Sequence, residues 1–77
     1  MSVYDLTKDQ SDSLRVHLDC HSIDVTQGMS EGAKLSSMIE AVDTWCESMT
    51  SGLGLVGLMY LDPHDTVIWW LELGGDL

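Results

Sequence analysis

The sequence predicts an α+β fold, an antiparallel β-sheet of three to four strands with one amphipathic α-helix packed on one face, in the order β-β-α-β-β. Three observations lead there. From Ser30 to Thr50 the apolar residues recur at steps of three and four. Two short apolar runs, Leu55 to Leu61 and Thr66 to Leu73, flank Asp62-Pro63-His64-Asp65. From Leu14 to Cys20 apolar and polar residues alternate.

The first thirty residues supply the outer strands. Leu14, Val16, Leu18 and Cys20 alternate with Arg15, His17, Asp19 and His21, which is the period of a strand with one buried face. Ile23 and Val25 continue the apolar pattern after a one-residue slip at Ser22, the mark of a bulge or bend. Val3 to Thr7 forms a short preceding strand, turned back by Lys8 to Asp12. A competing reading makes Thr7 to about Cys20 a helix opened by a capping box of Thr7 and Gln10. It would place Leu14 and Leu18 on one side and Asp5, Asp9, Asp12 and Asp19 near another. The alternation ranks the strand first.

The central helix rests on Leu35, Met38, Ile39, Val42, Trp45, Cys46 and Met49. Ser30 is its N-cap, Glu31 sits in the first turn and Gly52 is its stop. Glu40, Asp43 and Glu47 lie on the opposite face. Next comes a hairpin whose turn has Pro63 at the second position and Asp62 before it. In that register Val56, Leu58, Tyr60, Val67, Trp69, Leu71 and Leu73 face the helix. Leu55, Met59, Ile68 and Trp70 face outward, too apolar for ordinary solvent surface, which makes Met59, Ile68 and Trp70 an apolar anchor for a partner.

At 77 residues the chain makes a single domain, residues 1–77, burying roughly 60–65% of its unfolded surface. An apolar fraction of 44% is too high for a disordered acidic tail. No basic start precedes an apolar run and no run spans a bilayer, so the chain reads as cytoplasmic and soluble. Cys20 and Cys46 both fall on apolar-periodic positions, as free buried thiols do.

Catalytic chemistry finds little footing. There is no nucleophile elbow, phosphate-cradling glycine loop, metalloprotease helix or EF-hand loop. His17, Asp19 and His21 would share one strand face, but Cys20 would point away, so neither a metal nor any other cofactor is expected. Glu72 is the one acid in a strongly apolar stretch, and it reads as an edge residue reaching for water. The sequence predicts no enzyme.

Charge is the more telling feature. Thirteen acids, nine of them Asp, stand against three Lys and Arg, a net charge of −10. Such a surface repels phosphate, which argues against nucleic acid or an anionic membrane as a direct ligand. A rigid domain with carboxylates about 5–7 Å apart can instead occupy a groove built for a nucleic-acid backbone. The candidates for that display are Glu40, Asp43 and Glu47 on the helix and a looser set of Asp5, Asp9, Asp12, Asp19 and Asp24. The expected partner is the basic surface of a nucleic-acid-binding protein, met by a monomer or weak dimer. Two alternatives stand beside this: an acidic interaction module, antitoxin-like or an adaptor, docking through the outer hairpin face, and a salt-adapted small domain.

In length, acidity, mixed pattern and lack of catalytic motifs the chain resembles the small phage-encoded anti-CRISPR proteins, in particular type I inhibitors that act as DNA mimics. The resemblance implies expression in an infected bacterium and binding to the DNA-binding surface of a Cascade-type effector. No motif carries it, so it assigns no residue.

Overall fold

The first segment folds as a helix. The computed structural model describes residues 2–53 and 61–77, with α1 at Lys8–Asp24, α2 at Glu31–Leu53 and α3 at Pro63–Glu72, preceded by one 3-10 turn at Val3–Asp5. Among the described residues there is no strand, so the α+β expectation is corrected to an all-helical architecture.

In α1 the capping box decides. Thr7 accepts a hydrogen bond from the Gln10 backbone N–H, and the Thr7 backbone N–H donates to Gln10 Oε1 at 3.0 Å. Lys8 pairs with Asp12 one turn on, at 2.9 Å. The period-two pattern is a coincidence of spacing. Leu14 and Leu18 are four apart and fully buried, while Val16 and Cys20, which a strand would bury with them, are exposed. Where Val3 to Thr7 was expected as a strand, Val3–Asp5 forms the 3-10 turn, capped by Ser2 and Asp5, and Thr7 caps α1. Ile23 and Val25 lie exposed where α1 ends, so no bulge is needed to explain them.

The central helix has the expected face. Met38, Ala41, Val42, Trp45 and Cys46 are buried, with Leu35, Ile39 and Met49 packed at the margin. Ser30 caps it, its Oγ accepting from the Ala33 backbone N–H. Gly52 does not stop it, for α2 runs through Leu53. This helix packs against both α1 and α3.

Where a second hairpin strand was expected, α3 forms. Asp62 is its N-cap, Oδ1 accepting from the Asp65 backbone N–H at 3.0 Å, and Pro63 takes the first helical position, where its missing N–H costs nothing. Thr66, Val67 and Trp70 are buried at helical spacing. Gly74, at φ +102°, ends the helix in a conformation that side chains resist, and Gly75 lies where a Cβ would sit 2.3 Å from the Trp70 ring. Trp70 therefore belongs to the core. The expected first strand, Leu55 to Leu61, and the proposed anchor Met59 lie outside the described residues, except for Leu61, which is buried.

Polar side chains also cross the bundle. The Trp70 indole N–H donates to Asp19 Oδ1 at 2.7 Å, joining α3 to α1. The Trp45 indole N–H donates to Ser13 Oγ at 3.3 Å, joining α2 to α1. His17 Nε2 lies 3.0 Å from the Ala41 carbonyl, and His21 Nε2 lies 2.7 Å from Ser37 Oγ.

Candidate functional site

Every one of the thirteen carboxylates is exposed, and all lie on described residues. Among the described residues the single ion pair is Lys8–Asp12. The bundle measures 35 × 22 × 17 Å, so its charge is displayed on a short rod.

Glu40, Asp43 and Glu47 stand together on the outward face of α2. Successive helical residues rotate by 100°, so the three lie within about 60° of one another and span about 10 Å of axis. The helix that carries them is anchored by its buried face, which holds their backbone rigid. After Lys34 the chain contains no Lys or Arg, yet it contains seven acids. Among the described residues no ion pair is made on the outward face of α2 or on α3. One internal effect follows. Burial, with the Asp43 carboxylate nearby, pushes the Cys46 thiol from its ordinary 9.0 up to about 11.

The acids of the first segment serve the fold more directly. Asp5 accepts from the Ser2 backbone N–H at 3.0 Å in the capping box of the 3-10 turn. Asp9 sits in the first turn of α1, where a negative charge favours the helix dipole. Asp12 is neutralised by Lys8, whose ammonium is in turn held above its usual range by the hydrogen bond to Asp12. Asp19 anchors Trp70. Asp24 is the last residue of α1. Asp9, Asp12, Asp19 and Asp24 share α1 with Lys8 and Arg15, so the charge there is more compensated than on α2, whose four acids share it with Lys34 alone.

The apolar anchor is not assembled. Trp70 is 1% exposed and Met59 lies outside the described residues, leaving Ile68, 41% exposed, on the surface of α3. Cys20, expected inside, is exposed and Cys46 is buried; both are free thiols. His17 and His21 are spent on α2, and among the described residues no group of three His, Cys, Asp or Glu side chains is placed to hold a metal ion.

One feature escapes the sequence reading. The N-cap Asp62 and Asp65 and Glu72 of α3, with Trp69, Ile68 and the 3-10 turn, line an open cleft of about 380 Å³. A helical reading of residues 63–72 would have put Asp65 and Glu72, seven apart, on one side, though not against the 3-10 turn that completes the cleft. Among the described residues no helix is long and apolar enough to cross a membrane. Comparison with protein-family models, with curated proteins and with solved structures finds no match.

Proposed function

We propose that this chain is a non-enzymatic inhibitor that occupies a basic nucleic-acid-binding surface as an acidic mimic of the backbone. The observation that carries the reading is the uncompensated face of α2, where Glu40, Asp43 and Glu47 project from one rigid helix. A net charge of −10 along 35 Å amounts to about one charge per 3.5 Å, close to the ~3.4 Å per charge of one B-DNA strand. Such a surface steers toward cationic grooves and competes for the same positive residues as the phosphates do. The resemblance to type I anti-CRISPR proteins makes the DNA-binding surface of a Cascade-type effector the first target to assay.

The test is an equilibrium competition between the protein and labelled target duplex for a purified effector, run from about 50 to 200 mM salt. Mimicry predicts inhibition that weakens steeply with salt and is lost in E40K/D43K/E47K. Equal potency of that variant, together with salt-independent binding, would overturn the reading.

A second reading keeps one observation. Val16 and Ile23, 60% and 64% exposed, lie seven apart on the outer side of α1, an apolar strip suited to an adaptor-type contact. Binding through it would be nearly insensitive to salt and would be weakened by V16S/I23S.

A further inference from the structure

The cleft on α3 combines features that the α2 face lacks. Asp65 and Glu72 stand two turns apart on one side of the helix, about 10 Å along the axis, with Ile68 and Trp69 between them. Asp62 adds a third carboxylate beside Asp65. Its Oδ1 accepts from the Asp65 N–H, and among the described residues no hydrogen bond is made to Oδ2. Tyr4 adds a second aromatic ring to the lining from the 3-10 turn. The lining therefore combines aromatic and aliphatic side chains with three carboxylates.

Among the described residues no Lys or Arg pairs with these acids. The single ion pair among the described residues is elsewhere, and the sequence has no Lys or Arg from residue 35 to the end. Three like charges around one cleft repel each other, and a ligand bearing positive charge relieves that repulsion. A divalent ion is a poor match, since among the described residues no three carboxylates converge closely enough to ligate one. An extended organic cation fits better: its stem packs on the apolar lining while its charged end meets a carboxylate. A volume of about 380 Å³ is enough for one long side chain and too small for a secondary-structure element.

We infer that this cleft receives the guanidinium side chain of an arginine on the partner's basic surface. Arginine is favoured over lysine because its planar group both stacks on an aromatic face and donates two parallel hydrogen bonds to a carboxylate. The cleft then acts as a socket for one arginine, while the α2 face meets the surrounding charge. This deepens the mimicry reading and rests on it for the identity of the arginine's owner.

The test uses the protein alone, so its outcome is independent of the competition experiment. Ethylguanidinium chloride is titrated into isotopically labelled protein at constant ionic strength, and the Trp69 indole and the Asp65, Ile68 and Glu72 amides are followed by NMR. The inference predicts a saturable shift confined to these groups, an affinity at least tenfold weaker in D65N/E72Q, and a severalfold loss in W69L. E31Q/D76N removes the same number of charges elsewhere and should bind as the parent does. Shifts that never saturate, or an equal loss in E31Q/D76N, would assign the effect to bulk charge and overturn the socket.

Discussion

Asp19 allows structural and functional roles to be separated within one residue. Its carboxylate is exposed, yet it accepts a 2.7 Å hydrogen bond from the indole of Trp70, which is 1% exposed. In Asp19→Ala the indole N–H is left without its partner beneath the surface, at a cost of about 1–3 kcal/mol. Against this, alanine is the better helix former by up to ~0.7 kcal/mol, and one unit of like charge is relieved. The balance is a net loss of about 1–2 kcal/mol, a large share of the roughly 4–11 kcal/mol expected for a domain of this size.

For a chain of this length that balance lowers the melting temperature by roughly 5–15 °C. Asp19→Asn keeps an acceptor oxygen and gives up only the charge, so its loss should stay below about 1 kcal/mol. Urea unfolding followed by tryptophan fluorescence measures both variants, and a double-mutant cycle with Trp70→Phe isolates the pair. If D19A were as stable as the parent, or D19N as damaged as D19A, the hydrogen bond would not be the reason for this aspartate.

Three further outcomes follow from the same structure. Iodoacetamide at pH 8 should label Cys20 rapidly and Cys46 only on unfolding. Because the folded state holds the Cys46 proton up to about pH 11 against an ordinary 9.0, stability from this source is complete below pH 9 and falls as pH rises through 11, which urea midpoints across that range would record. Thr7→Ala, which removes the side-chain half of the α1 capping box, should cost about 1 kcal/mol and lower the helical circular-dichroism signal; no change would revive the strand reading of this segment. Raising salt from about 0.01 to 0.15 M should stabilise the protein, because the screening length falls from about 30 Å, comparable with the molecule, to about 8 Å. E40Q/D43N/E47Q should flatten that dependence, measured by thermal melts.

What could be read from the sequence depended on whether local spacing admitted one period or two. Over residues 35–49 the steps of three and four admit no strand, and α2 has the buried face expected of it. Leu14 and Leu18 satisfy both a strand and a helix. There the deciding group was Gln10, whose side chain returns to the Thr7 backbone. In α3 the run Thr66 to Leu71 is apolar or β-branched at nearly every position, so no period is visible at all. Asp62-Pro63 deepens the ambiguity, since the same pair opens a type I turn and caps a helix. Helix was selected by burial of Thr66, Val67 and Trp70 on one side, and by an Asp19–Trp70 bond across 51 residues that no local window contains.

The change of fold redistributes the acids by duty. In a sheet, Asp5, Asp9, Asp12, Asp19 and Asp24 would be an unassigned polar fringe, equally available to a partner. In the helical bundle Asp5, Asp12 and Asp19 have partners of their own, and Asp9 supports the dipole of α1. Substituting them alters stability along with any binding, so a loss of inhibition there would be ambiguous. Among the described residues the Glu40, Asp43 and Glu47 carboxylates make no hydrogen bond or ion pair, Asp43 lying near Cys46, and no Lys or Arg follows Lys34. A surface kept free of structural work and of countercharge retains its full potential for an outside cation. Charge changes on α2 should therefore move binding far more than stability, and those at Asp19 the reverse. That opposition tests the mimicry reading more sharply than the net charge does.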